Sequence, residues 1–103
     1  IDVYIINKGT KAEAMAHKLS SKLRKYDVIA EMDVSGSSIS KQFKKANKCK
    51  TKSIIVIGEE EAMENQFKIR LFYNNNDKEK IINIDDNEGL EKWLKNIIPN
   101  YSA

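Results

Sequence analysis

The chain has 103 residues, of which 41% are hydrophobic and 32% charged, and its net charge is +3. This profile predicts one compact domain with a modest core and excludes a disordered tail, and the length leaves no room for a typical catalytic domain as well. No apolar run approaches the roughly 18 residues of a membrane span and no targeting leader is recognised, so we expect a cytoplasmic protein with no membrane partner; an organellar location is the alternative.

Cysteine and histidine usage gives little scope for metal or thiol chemistry. Cys49 is the single cysteine and His17 the single histidine, so an internal disulfide is impossible and no zinc-ligand pattern exists. We predict no metal site, no catalytic residue and no cofactor within this chain. Cys49 is expected to be a partly buried structural thiol and His17 a solvated surface residue.

The first part of the chain predicts a strand, a helix and a second strand. Residues 3–6 form a continuously apolar run, which is typical of a central strand. Thr10 with Glu13 three residues later has the spacing of a capping box and predicts the start of a helix over residues 11–25. Residues 28–32 are more mixed and indicate an edge strand.

A lysine-rich helix follows the loop of residues 33–38, whose three serines are all able to cap it. Its buried face is marked by Ile39, Phe43 and Ala46. At 100° per residue, the opposite side carries a ridge of four lysines: Lys41, Lys44, Lys45 and Lys48. A solvated helix face is the ordinary interpretation of such a ridge, although four lysines on one face also suit RNA phosphates.

A fully apolar strand over residues 53–57 comes next and ends at Gly58 and the acidic run Glu59, Glu60 and Glu61. The ordinary interpretation of these carboxylates is the charged start of a short helix. The functional interpretation is base recognition, because a carboxylate accepts hydrogen bonds from the amino groups of bases and can select one base within a basic surface. The residues alone leave both open.

The remaining elements predict a change of strand direction. Residues 67–73 alternate apolar and basic side chains, and the short connection from the preceding strand favours antiparallel pairing. A polar turn over residues 74–79 leads to a last strand over residues 80–84. Asp85 with Glu88 predicts the cap of a closing helix, whose core positions are Leu90, Trp93, Leu94 and Ile97. Strands that alternate with helices in this way predict an α/β sandwich.

The order of these segments resembles the C-terminal anticodon-binding domain of class II aminoacyl-tRNA synthetases, most closely that of the histidyl-tRNA synthetases. The resemblance is carried by residues 42–48 of the lysine-rich helix, the apolar strand, the spacing Gly58-x-x-Glu61 and the basic strand of residues 67–70. Each motif is weak alone, but their order covers nearly the whole chain.

This resemblance implies a three-layer α/β sandwich, built on a five-stranded mixed sheet with one antiparallel strand and helices on both faces. It also implies a domain that binds the anticodon arm of tRNA, here tRNA-His. By position in the family, Glu61 and Arg70 contact anticodon bases. The other residues that the resemblance places in the RNA site are Gly36, Ser37, Gln42, Lys41, Lys44, Lys45 and Lys68.

The resemblance implies a larger parent protein as well. Because the chain begins with Ile1, we expect residues 1–103 to be a single domain and the C-terminal fragment of a histidine–tRNA ligase. In that family a separate catalytic domain uses ATP and magnesium to charge the tRNA, and the parent is expected to be a homodimer.

Three alternatives stay open at this point. The same fold could serve as a regulatory or protein-interaction module, or belong to a threonyl-, prolyl- or glycyl-tRNA synthetase. The presence of Gly58-x-x-Glu61 together with Arg70 favours RNA binding over the interaction module. A flavodoxin-like enzyme would need a phosphate-binding loop, and the turn at Lys8, Gly9 and Thr10 has too few glycines to form one.

Overall fold

The computed structural model describes residues 1–71 and 80–97 of the chain. Its strands are β1 (Val3–Asn7), β2 (Ala30–Met32), β3 (Ser53–Ile57), β4 (Gln66–Leu71) and β5 (Lys80–Asn83). Its helices are α1 (Thr10–Arg24), α2 (Ile39–Lys48), α3 (Glu59–Met63) and α4 (Asn87–Ile97). The predicted turn over residues 74–79 and the last two residues of the predicted strand 67–73 lie outside the described residues.

The strands form one mixed sheet in the order β2-β1-β3-β4-β5. Strand β1 pairs in parallel with both β2 and β3. Strand β4 runs antiparallel to its two neighbours, β3 and β5. Within the described sheet β4 is therefore the one antiparallel strand, and the predicted five-stranded α/β fold is confirmed.

The two faces of the sheet are covered by different helices, because successive residues of a strand point to opposite faces. Val3 and Ile5 of β1 enter a large core that includes buried residues of α1 and α4. Tyr4 and Ile6 enter a smaller core that includes Ala46 of α2. The predicted three-layer sandwich is confirmed, with α1 and α4 on one face and α2 on the other.

Helix α2 covers only part of its face of the sheet. Its core partners come from β1 and β3, and among the described residues no helix packs over β4 and β5 on this side. The register pairs Lys68 with Val56 and with Ile81, so the three side chains share this face. Arg70, two residues along β4, shares it too. We call the surface formed by Lys68, Arg70 and Ile81 the open face.

The predicted capping box at Thr10 and Glu13 is wrong. Helix α1 begins at Thr10, its N-cap is Gly9 with φ 111°, and no side chain caps it. The Gly9 carbonyl instead accepts the backbone N–H of Glu13 at 2.9 Å. A positive φ favours glycine, so the local signal for this helix start was the glycine rather than the threonine.

The closing helix also starts later than predicted. Helix α4 begins at Asn87, and the carboxylate of Asp86, not that of Asp85, accepts the backbone N–H of Gly89 at 3.0 Å. Its predicted core positions Leu90, Trp93 and Leu94 are buried, as expected; the Ile97 side chain lies outside the described part. None of the helices in residues 1–71 and 80–97 is long and apolar enough to cross a membrane.

Two further predictions differ in detail. Strand β2 begins at Ala30 rather than at residue 28, because the backbone N–H of Val28 closes the end of α1 by donating to the Leu23 carbonyl at 3.2 Å. Cys49 is exposed, so its predicted burial is wrong: it is the C-cap of α2, one residue beyond the helix. His17 is exposed, as predicted.

Candidate nucleic-acid interface

The open face brings two basic side chains of β4 next to the edge of α2. Phe67 and Ile69 are buried in the large core, and this alternation turns Lys68 and Arg70 to the other side of the sheet. Arg70 pairs with Ile54 of β3, which lies under α2 in the small core. The strand register thus places both cations beside a helix that carries four exposed lysines.

Glu61 lies at the end of this basic row. It is the third residue of α3, which begins directly after β3 and has Gly58 as its N-cap. Its carboxylate is 3.6 Å from the ammonium group of Lys68, with the Glu61 side chain 15% exposed and that of Lys68 37%. The Lys68 ammonium group is therefore partly open to solvent, while the Glu61 carboxylate is largely covered.

Gly58 has a specific relationship with Glu61. A Cβ atom built on Gly58 would lie 3.2 Å from Oε2 of Glu61, so the carboxylate folds back over the N-terminus of its own helix. This is the position that the third residue of a capping box occupies, where the helix N-terminus favours negative charge. The spacing Gly58-x-x-Glu61 therefore describes one packed unit: the absence of a side chain at residue 58 makes room for the carboxylate of residue 61.

Arg70 lies against the ring of Phe43. The guanidinium carbon is 5.6 Å from the ring centroid, within the range of a cation–π interaction. Phe43 belongs to α2 and packs on the small core, while Arg70 is exposed. The helical spacing predicts only that Phe43 lies on the buried face of its helix, because nothing in the sequence gives the register that sets β4 beside α2.

Gln42 has a different place from the one predicted. It has no exposed surface, and its amide group bonds to the backbone in three directions: Oε1 accepts the Asn7 N–H at 2.9 Å, and Nε2 donates at 2.8 Å to the carbonyls of Asn7 and Ser37. Gln42 thus fastens the start of α2 to the end of β1, and in this arrangement its side chain is turned away from solvent.

Gly36 and Ser37 form a separate part of the surface, in the loop before α2. The Gly36 carbonyl accepts a hydrogen bond from the Lys8 ammonium group at 2.6 Å. The backbone at Gly36 has φ 69°, and no atom lies within 4 Å of the position that a Cβ would occupy. The Ser37 carbonyl is held by Gln42. The loop is therefore anchored to the end of β1, and the link between it and the open face runs through α2.

The four lysines of α2 are exposed, as predicted, but they do not form one continuous ridge. Lys45 and Lys48 line a cavity of about 430 Å³ on the β2 side of the helix, together with Tyr4, Asp33 and other residues. Lys44 follows Phe43 by 100° of helical rotation, on the opposite flank from Gln42. Because Gln42 faces β1, Lys44 is on the flank nearer to β4, while Lys41 points outward.

A buried hydrogen bond joins Tyr4 and Asp33 beneath the cavity. The Tyr4 hydroxyl donates to Oδ2 of Asp33 at 2.7 Å, and burial together with this bond raises the pKa of Tyr4. Burial alone would raise the pKa of Asp33 as well, but hydrogen bonds from Ser35 and Tyr4, with the charge of Lys45, outweigh it and hold that pKa below its ordinary value. The pair is structural, and the Tyr4 ring is buried.

The crevice at the carboxyl ends of β1 and β3 is filled by a carboxylate side chain. In open α/β sheets this crevice, where the strand order reverses, is a common binding place for phosphorylated cofactors. Here a Cβ on Gly9 would lie 2.9 Å from Cγ of Glu59, so Glu59 packs over the start of α1. Negative charge at this point disfavours a phosphate group. Among residues 1–71 and 80–97, no three metal-ligating side chains come together.

Comparison with known proteins identifies relatives along almost the whole chain. Residues 2–96 match the protein family described as "Anticodon binding domain". The histidine–tRNA ligase of Prochlorococcus marinus subsp. pastoris is 62% identical over 96 residues, which make up 91% of this chain and 22% of that protein. The histidine–tRNA ligase of Rippkaea orientalis is 48% identical over 61 residues, or 59% of this chain and 14% of that protein. The chain thus spans less than a quarter of these relatives.

Solved structures give the same fold. Apo S. aureus histidyl-tRNA synthetase matches with a TM-score of 0.72 and 25% identity, over 94% of this chain and 23% of that one. The RNA binding domain of threonyl-tRNA synthetase from Cryptosporidium parvum Iowa II matches with a TM-score of 0.80 and 16% identity, over 93% of this chain and 23% of that one. The second likeness concerns the fold alone.

Proposed function

Because this chain belongs to the anticodon-binding domain family, we propose that it binds the anticodon arm of tRNA-His through the open face and the adjoining edge of α2. The observation that carries the proposal is that two outward cations of β4 have partners from other elements: Lys68 is next to Glu61 and Arg70 is next to the Phe43 ring. These residues come from three different elements, and together they offer an acceptor, two cations and an aromatic edge on one surface.

Each group has a distinct chemical task in this proposal. Single-stranded loops are recognised through the edges and faces of splayed bases, and Glu61 supplies an acceptor for a base amino group while Arg70 supplies a planar set of donors. Lys44 and Lys41 contribute phosphate contacts, which add affinity without sequence preference. Gln42 acts indirectly by fixing the start of α2 and the loop that contains Gly36 and Ser37.

The identity of the tRNA and of the parent protein is part of the proposal. Relatives that are named histidine–tRNA ligases and are up to 62% identical support tRNA-His as the partner. We further propose that the chain is the C-terminal domain of such a ligase, which acts in the cytoplasm as a homodimer. In this proposal ATP and magnesium bind to a separate catalytic domain of the parent ligase.

Binding of short RNA hairpins tests the proposal directly. The purified chain is titrated with a hairpin that carries the anticodon loop of tRNA-His, with one whose anticodon is scrambled, and with the corresponding hairpins for tRNA-Thr and tRNA-Pro. Preference for the histidine hairpin at a fixed salt concentration is the expected result. Equal binding of all four would contradict a role in anticodon recognition. Preference for the threonine or proline hairpin would indicate that the parent protein is a threonyl- or prolyl-tRNA synthetase, because solved structures of both share this fold.

If no hairpin binds, the interaction-module alternative gains weight. The control for a folded but inactive preparation is the circular-dichroism spectrum and the thermal transition of the same sample. A cooperative thermal transition would show that the sample is folded, so absent RNA binding by that sample would contradict the proposed function.

A further inference from the structure

We propose that Phe43 is a positioning residue for anticodon recognition: its ring holds the Arg70 guanidinium flat against the edge of α2, so that Arg70 meets the RNA in one orientation. The proposal rests on the proposed function, because it concerns how the open face selects its RNA. It assigns to Phe43 a role besides core packing.

Phe43 and Arg70 differ in how tightly the fold holds their side chains. Phe43 is half-buried and packs with Ile39, Ala46 and Val56 on the small core, so its ring is fixed by the fold. Arg70 is an exposed, long side chain on β4, with many accessible rotamers unless something restricts it. The guanidinium carbon of Arg70 is 5.6 Å from the centroid of the Phe43 ring, so the ring restricts the orientations that the guanidinium can adopt.

Stacking suits arginine recognition for a geometric reason. A guanidinium that stacks on a ring turns its flat face to that ring, while its N–H donors lie in the plane and point along the edges. Fixing the plane therefore fixes the directions of the donors. An ammonium group at residue 70 has no plane to orient, so the contact would lose this effect with lysine at that position.

The neighbouring cation is held in another way. Lys68 is 3.6 Å from the carboxylate of Glu61, which localises its ammonium group at the α3 end of the open face. The contact of Arg70 with Phe43 is made to a neutral ring and not to a carboxylate. The open face thus has one cation within ion-pair distance of an acid and another within cation–π distance of an aromatic ring.

The competing explanation is that Phe43 only fills the small core. Two substitutions separate the explanations: Phe43→Tyr keeps an aromatic face, whereas Phe43→Leu keeps apolar bulk and removes the ring. Ile39→Ala is the matched control, because Ile39 packs on the same core from the same helix. Its loss weakens that core and leaves the ring beside Arg70 in place.

The experiment measures the dissociation constant of the scrambled hairpin divided by that of the histidine hairpin, with thermal stability recorded for every variant. We expect Phe43→Leu to lower the ratio about two- to five-fold, which is the size of an exposed cation–π contact, while Phe43→Tyr and Ile39→Ala leave it unchanged. The salt dependence of binding should stay constant in Phe43→Leu, because no cation is removed. In an Arg70→Ala background, Phe43→Leu should have no further effect on the ratio.

Three contrary results have different meanings. If Arg70→Ala lowers the ratio but Phe43→Leu does not, the positioning role is overturned while the proposed function stands. If Phe43→Leu and Ile39→Ala lower the ratio equally, Phe43 acts only through the stability of the core and the inference is likewise overturned. If Arg70→Ala has no effect on the ratio, both the position of the RNA site and this inference fail together.

Discussion

Gln42 and Asn7 pair through two hydrogen bonds in opposite directions, so that the amide side chain of a helix residue completes the backbone of the strand end. The side chain reproduces what a neighbouring strand would offer to Asn7, one donor and one acceptor. A third bond from the same amide reaches the Ser37 carbonyl. This arrangement makes residue 42 a structural joint between sheet, loop and helix.

Gln42→Ala should destabilise the domain by about 2–4 kcal/mol, because it leaves buried backbone groups without partners. Urea denaturation of the two proteins measures the difference in the free energy of unfolding. Lys41→Ala is the control, since Lys41 precedes Gln42 but is exposed, and its effect should stay within about 0.5 kcal/mol. A Gln42→Ala protein as stable as the original would contradict the joint described above.

Gly58→Ala should leave the fold nearly intact while it displaces the carboxylate of Glu61. The backbone at Gly58 has φ −90°, which alanine adopts without strain, but the new Cβ would lie 3.2 Å from Oε2 of Glu61. We expect weaker preference for the histidine hairpin and a change in stability below about 1 kcal/mol. Unchanged preference would show that the exact place of this carboxylate is unimportant for RNA selection.

Gly36→Ala is the matched glycine variant for that measurement. Nothing lies near a Cβ at residue 36, but φ is 69°, so the cost is backbone strain of about 1 kcal/mol without displacement of Glu61. Comparison of the two alanine variants therefore separates a moved carboxylate from a strained loop.

Charge removal should separate selection from general affinity. Glu61→Gln and Arg70→Ala should reduce binding of the histidine hairpin more than that of the scrambled one, by about 1–3 kcal/mol for a lost base contact. Lys44→Ala should weaken both hairpins alike and lower the salt slope by about one unit. Titrations at several salt concentrations provide both quantities. A Lys44→Ala variant that discriminates less than the original would contradict a phosphate-only role.

The Tyr4–Asp33 pair should stabilise the fold fully only at pH values between the ordinary pKa of Asp33 and that of Tyr4. The folded pKa of Asp33 is below its ordinary 3.8, so its contribution is complete above that value and is lost as the pH falls through the folded pKa. The folded pKa of Tyr4 is above its ordinary 10.0, so its contribution is complete below that value and is lost as the pH rises further.

Tyr4→Phe tests this pair with little change of shape. The variant should lose about 1–3 kcal/mol at neutral pH, because it removes a hydrogen bond to a buried carboxylate. Its stability should fall less steeply than that of the original above pH 10.0. Urea denaturation at a series of pH values measures both effects. Parallel pH profiles for the two proteins would contradict the raised pKa of Tyr4.

The fold was largely predictable because the strongest signals are local. The apolar runs of β1 and β3 have no polar interruption, and the alternation of β4 gives both its conformation and its two faces. The cap of α1 is not predicted correctly, because Thr10 and Glu13 have the spacing of a capping box without forming one. The helix instead starts after Gly9, which adopts a positive φ of 111°.

The site was less predictable because it depends on register and burial. The resemblance places Gln42 in the RNA site, although its spacing of three from Ile39 and four from Ala46 puts it on the buried side of the helix. The contact between Phe43 and Arg70 joins residues distant in the sequence. The contact depends on the pairing of β4 with β3 next to the part of the sheet that α2 covers. No residue spacing within the chain predicts that pairing.

The alternation of β4 has a consequence for how such a domain can change its ligand. Phe67 and Ile69 hold the strand in the core, while Lys68 and Arg70, between and beside them, project from the other side and contribute little to folding. Substitutions at the two outward positions can therefore alter which RNA loop is preferred at almost no cost to stability. In β4 the residues that pack in the core and the residues that face the ligand are therefore different, so the outward residues can change while the core residues stay the same.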